Sequence, residues 1–374
     1  MPMERKELLG DVGRVVVKVG TSSITQGGQS VSEKFMDSVA KQVKVLRDAG
    51  KEVLIVTSGA IGIGLKTMKV TPNPNDIPMR QAASSVGQSI LMQKWNESFG
   101  KQGLVVAQIL LTMDIYSDRD NVLNLNNTID SLLENNVIPI FNENDAVSVK
   151  EIGAVFGDND TLSAVVASRT DADLLIILSD VEGLYTSNPN IDADARFIHT
   201  VTEISNDIEN MAGDTINGMG TGGMRTKIKA ASICKDAGCR MIIASNAIDD
   251  IIIRVVAGDE IGTIFISDTH ISKKRRWMKS ACAKGTIFID EGAVKAVYDH
   301  KSLLPAGVVC VDGIFDKGDV VNIVCNEKLI AKATTHYNSD EINKIKGVHS
   351  NKICEILGYK SNGVVIESDN IAVL

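Results

Sequence analysis

Over its first 270 residues the chain alternates short β-branched runs with stretches of helical spacing, and a turn-rich segment follows. A strand that is followed by a helix returns to the sheet in parallel, and a parallel sheet needs both faces covered. The spacing predicts strands over residues 14–19, 52–57, 104–111, 137–141, 173–178 and 241–244. It predicts helices over 32–49, 80–99 and 121–134, the first of them closed by Gly50. The expected fold class is α/β, a mostly parallel sheet sandwiched by helices.

Near residues 267–277 the pattern changes. Lys273-Lys274-Arg275-Arg276 is a charge run suited to a linker, and beyond it Pro305-Ala306-Gly307, Asp312-Gly313 and Lys317-Gly318-Asp319 separate short strands. Two domains are expected, residues 1–270 and a small β-rich domain within 271–374. Charge divides the same way. Residues 271–374 carry 15 Lys and Arg against 12 Asp and Glu, which leaves 24 against 35 in the remainder. An acidic main domain is a poor nucleic-acid binder, and with 4% aromatic residues few rings remain for base stacking. RNA binding by the tail is therefore not expected.

The six cysteines show neither Cys-x-x-Cys nor zinc-ligand spacing, so scattered buried thiols in a reducing compartment are expected. The first thirteen residues lack an apolar signal core, and no apolar run is long enough to span a bilayer. A cytoplasmic protein without membrane contact is the expectation.

The chemistry concentrates in loops after the strands, where open α/β sheets bind ligands. Lys18-Val19-Gly20-Thr21-Ser22 ends a buried strand on a lysine, which is costly unless an anion meets it or its ammonium snorkels to solvent. Ser58-Gly59-Ala60 opens a helix with small residues, which suits an anion or merely tight packing. Asn142-Glu143-Asn144-Asp145 and Gly157-Asp158-Asn159-Asp160 gather acids and amides. Such acids can orient lysines, grip an amino group or hold hydrated Mg²⁺. The run Gly218 to Lys227 contains a formal G-x-G-x-x-G, but residues 202–217 before it are polar and offer no strand, so a dinucleotide site is not expected. No P-loop motif occurs. A glycine loop that delivers a basic residue to a helix start suits triphosphate binding, so the residues point to phosphoryl transfer on a scaffold without a P-loop.

The segments VVVKVGTS, IVTSGAIGIG, PIFNENDAV, FGDNDTLSA, LLIILSDVEGLYTSNP and GMGTGGMRTK resemble the amino acid kinase family, in its branch that phosphorylates glutamate. The tail from Lys284 to Val321 resembles a PUA domain. The resemblance implies ATP-dependent phosphorylation of the side-chain carboxylate of L-glutamate to L-glutamyl 5-phosphate, the first step of proline biosynthesis, with Mg²⁺. It implies that Lys18 and Lys227 neutralise the transferring phosphoryl group and that Asp160 holds both lysines. Ser58, Gly59, Asp145 and Asn159 would bind glutamate. Lys18, Ser179, Asp180, Thr221, Gly222, Gly223, Met224, Arg225, Thr226 and Lys227 would contact ATP. A homo-oligomer inhibited by proline is implied as well. Two departures stand out: Ser179 where the family more often has Thr, and Asn124-Leu125-Asn126-Asn127 in place of Asn-Ala-Arg-Asp. The rival readings are a family member with another acceptor (aspartate, acetylglutamate, carbamate or UMP) and an RNA-associated PUA protein.

Overall fold

A computed structural model describes residues 4–26, 30–71, 73, 75–112, 119–147, 159–189, 191–192, 194–211, 223–267, 278, 283–299, 301–326, 328–359 and 363–373. The chain divides into two compact units, Met1–His270 and Ile271–Leu374.

The first unit is built on an eight-stranded sheet. Its order is Thr200–Val201, Thr263–Phe265, Arg240–Ser245, Leu174–Ser179, Arg14–Val19, Glu52–Val56, Val137–Glu143 and Val105–Leu111. The six strands from Arg240–Ser245 to Val105–Leu111 pair in parallel. Thr263–Phe265 turns antiparallel to Arg240–Ser245, and Thr200–Val201 follows it in parallel. These two short strands are not foreseen from the sequence: with three residues and two they are too short to show a period.

The period-two alternation of strand side chains decides which face each residue joins. Val15, Val17 and Val19 pack with Met36, Val39 and Val43 of the helix Glu33–Asp48. Val16, Leu54 and Ile177 pack with Leu162 of Asn159–Arg169 and Ile228 of Met224–Asp236. Lys18 has the parity of Val16, so its side chain rises on the face that those last two helices cover. The helix Glu33–Asp48 is capped by Ser32 and ends at Ala49; Gly50 follows in a left-handed conformation at φ 77°. The predicted closing glycine thus lies one residue past the cap.

The helices Ala60–Met68 and Ile77–Gly100 touch backbone to backbone. A Cβ on Gly64 would fall 1.7 Å from the Ala83 carbonyl oxygen, and one on Gly87 would fall 1.9 Å from that of Ala60. Only glycine permits such an approach. The short helix Arg5–Leu9 sends the Arg5 guanidinium to the carbonyls of His199, Ile261 and Gly262 at 2.9, 2.6 and 3.1 Å.

The second unit has a five-stranded sheet in the order Val308–Asp312, Gly285–Ile289, Val320–Cys325, Lys328–Thr334 and Ile371–Val373. Ile287, Val321, Ile323, Ala331 and Ile342 form its core. Its helix Ser339–Ile345 opens on a capping box of Asn338 and Glu341. The expectation of buried thiols holds for Cys234, Cys239 and Cys325, whereas Cys310 and Cys354 are exposed. Cys310 sits on an edge strand that buries little of itself, and Cys354 lies on a short surface helix. The Lys273–Arg276 run lies outside the described residues. Among the described residues no helix is long and apolar enough to cross a membrane.

Candidate active site

Lys18 lies next to the last residue of a central strand, in register with Val56 on one side and Ile177 on the other. Its ammonium is 2.7 Å from Asp160 Oδ1. Lys227 lies one turn into the helix Met224–Asp236, and its ammonium donates to Asp160 Oδ2 at 3.0 Å. Asp160 is 1% exposed, Lys18 8% and Lys227 6%. Burial alone would push the Asp160 carboxyl upward, but Lys18 and then Lys227 outweigh it and hold it down at about 2. The Thr226 hydroxyl also reaches Asp160 Oδ2, at 2.9 Å. Two ammonium groups thus share one carboxylate and leave a net positive charge at the carboxyl ends of the strands. A buried cluster of that sign is prepared for an anion.

A cleft of about 180 Å³ opens beside this cluster, among Ser58, Gly59, Arg80, Asn142, Asp145 and Asn159. Gly59 adopts a left-handed conformation at φ 103° and starts the helix Ala60–Met68 with no side-chain cap. The first N–H groups of that helix therefore face the cleft without an internal partner. Asn159 opens the helix Asn159–Arg169 and shares its amide hydrogens among Thr57 O, Ser58 Oγ and Asn142 Oδ1 at 2.6, 2.7 and 2.9 Å. Its own oxygen is buried with no hydrogen-bond partner among the described residues. An orphaned buried acceptor is costly unless a ligand donor completes it, as an ammonium group would. Asp145 completes the wall. Burial raises its carboxyl first and Glu143 adds to that; Ser84 and Arg80 pull the other way, and it settles at about 6.

The helix Ile77–Gly100 buttresses the cleft through residues that sequence reasoning missed. Ser84 donates to Asp145 Oδ2 at 2.8 Å. Gln88 accepts from Asn142 at 2.8 Å and donates to Gln108 at 3.1 Å. Trp95 donates its indole N–H to Thr57 Oγ1 at 3.0 Å. The signal available in the sequence was spacing: 84, 88 and 95 share one helical face with the apolar Leu91.

On the expected nucleotide side, Ser179 ends its strand, buried, and donates to Asp180 at 3.2 Å. Gly223 precedes the helix that carries Met224, Arg225, Thr226 and Lys227, again without a side-chain cap. Arg225 is exposed. Asp158, Thr221 and Gly222 lie outside the described residues. Among those described there is no cluster of three carboxylate, thiol or imidazole groups to cage a metal ion. Both oxygens of Asp160 are engaged by lysines. The described residues therefore do not fit an all-protein Mg²⁺ cage.

The profile of the amino acid kinase family matches residues 13–245, and that of the PUA domain matches residues 285–357. A protein named glutamate 5-kinase from Methanosarcina mazei is 51% identical over 379 residues, covering 99% of this chain and 98% of its own. Another of that name, from Caldanaerobacter subterraneus subsp. tengcongensis, is 44% identical over 365 residues, covering 96% and 98%. Among solved structures, the UMP kinase of Bacillus anthracis aligns with 69% of this chain and 97% of its own at a TM-score of 0.49 and 17% identity.

Proposed function

Because this chain belongs to the amino acid kinase family, we propose that it transfers the γ-phosphate of ATP to the side-chain carboxylate of L-glutamate, giving ADP and L-glutamyl 5-phosphate, the entry to proline synthesis. The observation that carries this reading is the adjacency of an amino-acid-sized cleft and a two-lysine anion site, joined through Asn159 and Asp160. Relatives named glutamate 5-kinase match it over nearly the whole chain.

The acceptor carboxylate is ionised at neutral pH, so the reaction needs no general base. A carboxylate oxygen attacks the γ-phosphorus while the bond to the bridging oxygen breaks, and ADP leaves with the negative charge. The difficulty is bringing two anions together. Lys18 and Lys227 offset that repulsion and the charge spread over the transferring phosphoryl group. Asp160 keeps the two ammonium groups side by side, where unaided they would repel. On the acceptor side, Asp145 and the unpartnered Asn159 oxygen receive the α-ammonium. Ser58 and the N–H groups after Gly59 meet the carboxylate. Ser179, Asp180 and the loop through Thr221, Gly222 and Gly223 hold the nucleotide. Mg²⁺ supplies further neutralisation of the phosphates when it is bound.

The second unit acts as a structural or regulatory tail, since every candidate residue lies in the first; a chain ending near Trp277 would then keep its turnover. We place the enzyme in the cytoplasm as a homo-oligomer, with proline competing at the glutamate cleft. Hydroxamate trapping of the acyl phosphate, with ATP, Mg²⁺ and a panel of glutamate, aspartate and acetylglutamate, tests the central reading, and ADP release measures carbamate and UMP as rival acceptors. Trapped product with an acceptor other than glutamate would overturn it.

A further inference from the structure

Three serines on the helix Ile77–Gly100 use their hydroxyls differently. Ser85 and Ser89 are on the exposed side and donate to the carbonyls of Gln81 and Val86 within their own helix, at 3.0 Å each. Bonding back to the preceding turn is the ordinary outcome for a helical serine. Ser84 is only 4% exposed, and it turns away from its helix to donate to Asp145 Oδ2 at 2.8 Å. Its neighbours on the buried face are Ala83, Gly87 and Leu91, among which alanine would serve packing as well. The hydroxyl therefore answers to Asp145 rather than to the core.

Taking the cleft to be the acceptor site, as proposed above, we propose that Ser84 is a positioning residue that fixes one oxygen of Asp145 so that the other meets the α-ammonium of the incoming amino acid. The helix carrying Ser84 is itself held against the cleft by Gly87, so the donor sits at a fixed height. The charged groups acting on Asp145 are Glu143 from its own segment, which opposes ionisation, and Arg80 from the serine's helix, which favours it. Asn142 and Asn159 line the same cleft as neutral groups. A hydrogen bond donated to a carboxylate favours its charged form. Without Ser84 the burial of Asp145 and the charge of Glu143 are less opposed. Its carboxyl then takes up a proton at higher pH and has no charge to offer an ammonium group.

The test is kcat/KM for L-glutamate against pH, in full-length wild type, Ser84→Ala and Ser84→Thr. The Ser84→Ala variant is expected to move the acid limb to higher pH. At pH 6 it should lose about five- to tenfold, against less than about twofold near pH 8.5, with KM for ATP unchanged. Ser84→Thr, which keeps a hydroxyl, should retain the wild-type limb. A 13C titration of the Asp145 carboxyl in substrate-free protein should show the same upward displacement in Ser84→Ala. An equal loss at every pH with an unmoved carboxyl titration would reduce Ser84 to packing and overturn the proposal, as would an unchanged profile. If wild type shows no glutamate-dependent turnover, the acceptor reading fails, while the carboxyl titration still decides whether Ser84 governs Asp145.

Discussion

Asn159 and Asp160, neighbours at the start of one helix, face two different half-sites. Asn159 bonds Thr57, Ser58 and Asn142 along the cleft, while Asp160 bridges Lys18 and Lys227. Successive residues on a helix point about 100° apart, so one rigid turn can serve both sides. In the proposed reaction, the relative placement of acceptor and phosphoryl group would then be set by a single piece of backbone.

The lysines are expected to matter to turnover more than to acceptor binding. Lys18→Ala and Lys227→Ala should each lower kcat on the order of 10²–10³ and leave KM for glutamate within a few-fold. Because the two act through one carboxylate, the double variant should lose less than the product of the single losses. Steady-state kinetics on the three variants checks both statements. Near-wild-type turnover in either single variant would remove that lysine from the chemistry.

Asp160 links the site to acid stability. Its folded value of about 2 lies below the ordinary 3.8, so it contributes stability that is fully present above about pH 4 and lost as pH falls toward 2. That contribution is about 2 kcal/mol. Asp160→Asn should remove this dependence. It should also cost about 3–5 kcal/mol at neutral pH, since two buried ammonium groups are left facing each other. Urea unfolding of both proteins at several pH values between about 2 and 7 measures the difference.

Asp145 has the opposite sign. Its folded value of about 6 lies above 3.8, so the ionised group costs stability above pH 6, and the cost disappears as pH falls below about 4. Asp145→Asn should therefore stabilise the protein at pH 7.5 by about 1–2 kcal/mol, after allowance for its partial exposure. The same change should raise KM for glutamate at least about tenfold, through loss of a charge-assisted bond. Thermal melts and kinetics on one preparation would test the pair. A variant that is less stable at pH 7.5, or that keeps its glutamate KM, contradicts the assignment.

Gly87→Ala should act at a distance from any ligand. Its Cβ would press on the Ala60 carbonyl, next to the Gly59 turn that starts the cleft. Overpacking of this kind costs about 1–3 kcal/mol. KM for glutamate is expected to rise while KM for ATP holds, because the displaced turn lines the cleft proposed for the acceptor. Equal effects on both constants would mean that the contact supports the fold in general.

Much of the sheet is legible in the sequence because its strands are continuous Val, Ile and Leu runs, buried on both faces. The strand 14–19 coincides with Arg14–Val19, whereas the helix expected at 80–99 starts earlier, at Ile77, where Asp76 caps it by accepting from Met79 N. Helix ends depend on such single bonds and blur in composition. Lys18 announces itself as a charge inside an apolar run. The roles of Ser84, Gln88 and Trp95 are not legible in the same way. Each depends on which residues of distant strands the helix lies against, and that was decided by Gly64 and Gly87, which read in sequence as ordinary helix-weakening glycines. The cleft wall is a product of packing more than of motif.

The strand Arg14–Val19 is synthesised before both of the strands it ends up between, Glu52–Val56 and Leu174–Ser179. At roughly 5–20 residues per second, its second neighbour is synthesised on the order of ten seconds later. Arg5 waits longer still for the carbonyls of Ile261 and Gly262. During that interval the run Val-Val-Val-Lys-Val lacks its sheet partners, and a charge such as Lys18 within an apolar run disfavours pairing with other chains. The lysine proposed to meet phosphate in the finished protein would, for its first seconds, serve to keep the chain solitary.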